Sequence, residues 1–352
     1  MPNASYPEHT SGRREFARTT VAFLAWAVLL AAVAVMLRVA GGQTAPAPYE
    51  ADYLRMDEPA YHSTAMKRVV FDLASGDQTS PSLQSLRFIA SFLRYPGLMA
   101  LLGAYLLYFG IRRGVISFCV FLFLPPTFPY LARLDSWMDG VCFSLMALFC
   151  FCLSDKISAQ RRAALFSICL MAGYFSGMAV DSKMTALLTL VPAAVLFLPG
   201  NPSARSVFFG IGVACGFGVS HPDWLMHPSK AIEHVQFWNS LNAGSPALSP
   251  TYAITALFSA VPFCVWCMAA LGTVEFRKEK GSIGLAVLFL MPICFFTVYR
   301  TLPPDGIRHM YLALPFLAAW AARGFDRLNI ISKIGIASLW IAEMTWRTFP
   351  AF

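Results

Sequence analysis

Four clusters of ionisable residues that include acids stand out in a largely apolar chain of 352 residues. The first lies in Tyr53-Leu-Arg-Met-Asp57-Glu58-Pro-Ala-Tyr61-His62. A carboxylate within hydrogen-bond reach of a hydroxyl can take its proton as that hydroxyl attacks. The plainer role for Asp57 and Glu58 is to open a helix: Pro59 suits a first helical turn, and acids suit its positive end. The second cluster is Ala132-Arg133-Leu134-Asp135-Ser136-Trp137-Met138-Asp139-Gly140, whose two acids are four residues apart and share a helix face. A carboxylate within a membrane costs roughly 3 kcal/mol at mid-depth and less at the edge, unless it finds a partner or water. A solvated loop position is the alternative for both acids. The third cluster is Asp181-Ser182-Lys183, and the fourth runs through Arg300, Asp305, Arg308, His309 and Tyr311. Lysine and arginine are the side chains that hold phosphate, although cations beside a membrane also simply reach out to the head groups.

Placing these clusters requires a membrane. Hydrophobic residues make up 57% of the chain and charged residues 13%, and mean hydropathy is +0.58. Soluble domains carry nearly twice that charge. An all-α, polytopic transmembrane protein is therefore expected. Runs of roughly 20 apolar residues number about eleven, near 20–40, 86–111, 114–131, 137–153, 163–180, 183–199, 205–220, 251–272, 282–299, 308–322 and 329–348. The first follows Arg13, Arg14 and Arg18 without a convincing cleavage site after it, and is read as an uncleaved span with a cytoplasmic N-terminus.

The net charge of +8 then reports topology rather than nucleic-acid binding, because the basic residues fall between apolar runs. With the N-terminus inside, Arg112, Arg113, Lys156, Arg161, Arg162, Arg205, Arg277, Lys278, Lys280, Arg323, Arg327 and Lys333 all lie in inner segments. Two outer segments are long, 41–86 and 221–250, within a single domain spanning 1–352. The first carries an amphipathic helix, with Met66, Val69, Val70 and Leu73 on one face, lying on the membrane surface. All nine cysteines sit within apolar segments, which argues against a disulfide framework. The four ionisable clusters thus meet the outer ends of several spans. A negatively charged lipid head group beside a proton acceptor would need that arrangement.

Four stretches in order resemble the GT-C class of membrane glycosyltransferases, near glycosyltransferase family 39, which includes protein O-mannosyltransferases and lipid A aminoarabinose transferases. They are Met56-Asp57-Glu58-Pro-Ala-Tyr61 with its trailing Gly76-Asp77, then Arg133-Leu-Asp135-Ser136, then Gly177-Met-Ala-Val-Asp-Ser-Lys183-Met-Thr-Ala, and lastly Arg308-His-Met-Tyr311-Leu-Ala-Leu-Pro315. His221-Pro222-Asp-Trp-Leu-Met-His227-Pro228 is a weaker fifth match. The chain departs from the pattern at Asp181, where relatives often have a small residue, and at Leu312, where they often have proline.

The resemblance implies an inverting transfer of a sugar from a polyprenyl-phosphate donor to an acceptor hydroxyl on the outer face; the compactness of the chain and its bare loops suggest a bacterial inner membrane as the setting. It casts Asp57 as general base, with Glu58 orienting it or sharing a divalent metal. Asp135 and Asp139 would position acceptor or base, and Tyr61 would bind substrate. Lys183 and Arg308 would hold the donor phosphate and stabilise the charge that builds on it. His234 and Trp238 would line the sugar pocket, or else lie on a surface helix. The competing class is a transporter or flippase for a lipid-linked or anionic solute, which also hides charge among spans. Such proteins are usually built from repeat halves, and the sequence shows no internal repeat.

Overall fold

A computed structural model describes residues 65–75, 82–157, 161–198, 204–221, 251–273, 281–298 and 306–348, with single positions between 226 and 240. Asp57, Glu58, Tyr61, His234 and Trp238 lie outside the described residues. Among the described residues the secondary structure is helical.

The helices are α1 (Ala65–Ser75), α2 (Leu83–Leu122), α3 (Thr127–Ala132), α4 (Ser136–Lys156), α5 (Arg162–Ser182), α6 (Leu187–Phe197), α7 (Ala204–Ser220), α8 (Tyr252–Ala260), α9 (Phe263–Thr273), α10 (Gly281–Val298), α11 (Leu314–Arg327) and α12 (Ile330–Thr348). Short 3₁₀ segments, Met184–Ala186 and Gly306–Ala313, precede α6 and α11. Among the described residues, three helices are long and apolar enough to cross a membrane, or four if the bent α8–α9 pair is one span. The molecule is an integral membrane protein.

The run expected over 20–40 lies outside the described residues; from α2 onward helix order follows the expected runs, and the breaks are local chemistry. α2 is two helices joined at Gly110, whose φ of 78° belongs to the left-handed region that glycine enters without penalty. A Cβ on Gly114 would lie 2.9 Å from the backbone nitrogen of Leu106. Residues eight apart on a continuous helix are separated by about 12 Å, so the chain doubles back here. The run expected over 114–131 stops at Leu122, because Pro125 and Pro126 cannot continue a helix, and α3 restarts at Thr127. The run expected over 251–272 is broken at Val261-Pro262 and bends by 108°. There the Glu343 carboxylate of α12 accepts a hydrogen bond from the Phe263 amide at 2.8 Å, satisfying a donor that the broken helix exposes. The stretch expected as a helix over 308–322 begins instead as a 3₁₀ segment, and α11 proper starts with Pro315 in its first turn.

Packing relies on small residues, as it must where lipid removes the hydrophobic drive between helices. Gly173 and Gly177 of α5 lie directly against the backbone of α7, and Gly212 and Gly216 of α7 lie against that of α5, leaving no room for a Cβ. The amphipathic helix α1 buries Met66 and Val70 against Leu86, Ala90 and Leu134, so it docks on the first half of α2 and the turn before α4.

Candidate active site at the Arg94 end of the bundle

Ion pairs mark the two ends of the bundle. At one end Arg113 pairs with Asp326 at 2.7 Å, and Arg112 reaches the same carboxylate at 3.3 Å. These residues belong to the expected inner segments. At the other end lies Arg94, sixteen positions before Gly110 on the first half of α2, fully buried and not anticipated from sequence.

Arg94 organises the second acidic cluster. Its Nε donates to Asp139 Oδ1 at 2.7 Å. Its Nη1 donates to the Leu131 carbonyl at 2.8 Å and to the Arg133 carbonyl. Its Nη2 donates to the Asp135 carbonyl at 2.9 Å. One guanidinium thus takes up the carbonyls that α3 leaves open at its C-terminus, fixes the Arg133–Asp135 turn and neutralises an acid in the first turn of α4. Both side chains of the pair are 0% exposed. Removing either partner would leave a buried uncompensated charge.

The turn delivers Asp135 as the N-cap of α4. Its Oδ1 accepts from the Trp137 amide at 2.9 Å, and its backbone is extended. Trp137, one residue into the helix, carries the third cluster: Lys183 Nζ stands 5.5 Å from the centre of its indole ring. Lys183 itself is an extended residue between α5 and the following 3₁₀ turn, its amide held by the Ala179 carbonyl at 2.9 Å. The Cβ position of Gly140 is 3.4 Å from Lys183 Cβ, so the end of α5 lies on the first turns of α4.

The fourth cluster reaches the same end. The Gly306–Ala313 segment, which places Arg308 by its backbone, packs on α4, α8, α10 and α11. Tyr311 is buried, meets Phe121 edge-on at 5.8 Å and donates to the Thr127 carbonyl at 3.2 Å. Trp137 lies 5.8 Å from Phe296 of α10. Asp135, Asp139, Lys183 and the Arg308 segment therefore share one end of the molecule. Asp139 differs from the expectation in its surroundings, since its carboxylate is engaged by Arg94 inside the protein.

Sequence reasoning passed over further ionisable groups here. Lys67 on α1 and Arg87 on α2 are buried, each beside a member of the apolar cluster that includes Leu134. His221, directly after α7, sits with Nε2 2.7 Å from Asp181 Oδ1 of α5. The available signal was complementarity: Arg94 and Asp139 are opposite charges inside two different apolar runs, and each such charge requires a partner. Among the described residues no group of three or more metal-ligating side chains gathers.

No protein-family model and no curated protein matches this sequence. The backbone does resemble solved structures. It is similar to ArnT from Cupriavidus metallidurans bound to undecaprenyl phosphate, with a TM-score of 0.67 and 16% identity, covering 89% of this chain and 62% of that one. The chain has the GT-C fold. The apo state of the same ArnT gives a TM-score of 0.66 at 15% identity, covering 90% of this chain and 62% of that one. The oligosaccharyltransferase of Archaeoglobus fulgidus, tethered to an acceptor peptide, gives 0.50 at 14% identity over 80% of this chain and 46% of that one. The chain thus spans 62% of the length of ArnT and less than half that of the archaeal enzyme. The GT-C fold accounts for the convergence of elements distant in sequence at one end of the bundle.

Proposed function

We propose that this protein is an inverting glycosyltransferase that moves a sugar from a polyprenyl-phosphate donor to an acceptor hydroxyl at the outer face of the membrane. One observation carries the reading: Asp135, in the turn built by Arg94, caps the Trp137 amide while the Lys183 cation stands over the indole of the same residue, at the end of the bundle that also holds the Arg308 segment. The likeness of the fold to ArnT holding undecaprenyl phosphate supports a polyprenyl-linked donor.

Each group has a task. Asp57, eight residues before the first residue described in α1, supplies the general base that removes the acceptor's proton as its oxygen attacks the anomeric carbon. Glu58 orients that base or shares a divalent cation with it, and Tyr61 lies beside the acceptor. Asp135 orients acceptor or base from the N-cap of α4. Lys183 and Arg308 bind the donor phosphate and neutralise the charge that accumulates on it when the sugar leaves, as donors prearranged for the transition state. Lys67 and Arg87 add positive charge around the same turn. His234 and Trp238 contribute the walls of the sugar pocket. Asp139 supports the site through Arg94.

The test is an assay of purified protein with a radiolabelled polyprenyl-phosphate sugar and a membrane-extract acceptor fraction. Transfer by the wild type, and its loss by at least about a thousandfold in Asp57→Asn, is the expected result. Movement of the intact lipid-linked sugar across vesicles without any transfer would establish the transporter reading instead.

A further inference from the structure

Asp181 and His221 form a close contact, Nε2 to Oδ1 at 2.7 Å, for which spanning a membrane gives no reason. Asp181 stands in the last turn of α5 and its side chain is 0% exposed, while that of His221, the residue after α7, is 8% exposed. The last turn of a helix is its negative end, an unfavourable place for a carboxylate, and burial adds a desolvation cost. Below the pair, α5 and α7 already touch backbone to backbone through Gly173, Gly177, Gly212 and Gly216. Association of the two helices is thus secured by close packing. The pair adds a constraint only at the end of that interface, where helices otherwise fray.

That end bears on the site. Lys183 follows Asp181 by two residues, and its amide is held by the last turn of α5. Its ammonium stands over Trp137, the residue whose amide Asp135 caps. Any splaying of the last turn of α5 from α7 would carry Lys183 off the indole and away from Asp135.

We propose that the Asp181–His221 pair is a positioning device for the anionic group of the donor: it clamps the end of α5 to the end of α7 and thereby holds Lys183 at the depth and angle needed to bind phosphate. The inference rests on the glycosyltransferase reading for the identity of the anion. It makes Asp181 and His221 positioning residues that act through Lys183.

The probe is undecaprenyl phosphate, titrated into detergent-purified full-length protein by calorimetry, which reads affinity and stoichiometry separately. His221→Ala and Asp181→Ala are each expected to raise Kd about tenfold with stoichiometry near that of the wild type, and Lys183→Ala is expected to raise it at least as much. His221→Gln, whose amide Nε2 can still reach Asp181, is expected to recover most of the affinity. A pair that served folding alone would lower stoichiometry and leave Kd unchanged, and that result overturns the proposal. Unchanged Kd in both dyad variants beside a weakened Lys183→Ala also overturns it, and leaves the donor reading standing. Wild-type protein that does not bind the lipid phosphate overturns both.

Discussion

The two ends of the bundle carry similar charges and use them differently. At the Asp326 end, Arg113 and Arg112 pair with one acid while remaining 38% and 74% exposed. At the Arg94 end, Arg94 and Asp139 are both 0% exposed, and the guanidinium also serves three carbonyls. An exposed pair gains little over solvation by water and contributes about 0–1 kcal/mol. A buried pair is costly to form and stays only if each partner and each remaining lone pair is satisfied. The first end therefore needs no exact geometry from its charges, which solvent can also satisfy. The second records where backbone geometry had to be fixed.

Breaking the buried end should produce the largest effect. Arg94→Met leaves the Asp139 carboxylate buried without its cation and frees the turn carbonyls. It is expected to destabilise the protein by about 3–5 kcal/mol, read as a collapse of the thermal midpoint in detergent or as loss of folded protein. The double variant Arg94→Met/Asp139→Leu should regain part of that loss, because it removes the stranded charge. It should not regain activity, since the Asp135 turn stays unsupported.

A smaller effect is expected at Asp135. Asp135→Ala removes the N-cap of α4 and should cost about 1 kcal/mol in stability, while transfer of labelled sugar falls by two or more orders of magnitude if the carboxylate orders the reacting groups. Asp135→Asn keeps a capping oxygen, so its stability should match the wild type while activity stays low. That split separates the structural share of Asp135 from its chemical share.

Away from both ends, Glu343→Ala should cost about 1 kcal/mol by leaving the Phe263 amide exposed at the α8–α9 break. The smallest effect belongs to the exposed end, where Arg112→Ala is expected to change the midpoint by an amount near the error of measurement. A loss there as large as at Arg94 would erase the distinction between the two ends.

The order of the described helices was legible because lipid demands long apolar runs, but the run read over 114–131 passed through Pro125-Pro126, where the helix ends. The Asp135 turn and Lys183 were legible as charges at the mouths of spans. Arg94 was not, because the two arginines in the run 86–111, Arg87 and Arg94, leave its mean hydropathy high, and the partner of Arg94 lies 45 residues away. Asp139 was visible as a charge but not as a partner: the four-residue spacing from Asp135 suggests a shared face, whereas Asp135 turns back to cap the helix and Asp139 turns to α2. The α8–α9 bend was hidden for another reason. Pro262 lies within a run apolar enough for one continuous span, and what stabilises the break there, Glu343, comes from α12. The first acidic pair, Asp57 and Glu58, lies outside the described residues, so its part in the site remains a proposal built on the sequence.

For the proposed transfer to occur, the first acidic segment must lie against Lys183, at the Arg94 end. Thiol cross-linking tests this directly, using Asp57→Cys combined with Lys183→Cys in one variant and with Arg113→Cys in another. A short bifunctional reagent is predicted to join the first pair within the intact membrane protein and to leave the second unjoined. A cross-link in the second variant and none in the first would put the acidic pair at the wrong end and contradict the site.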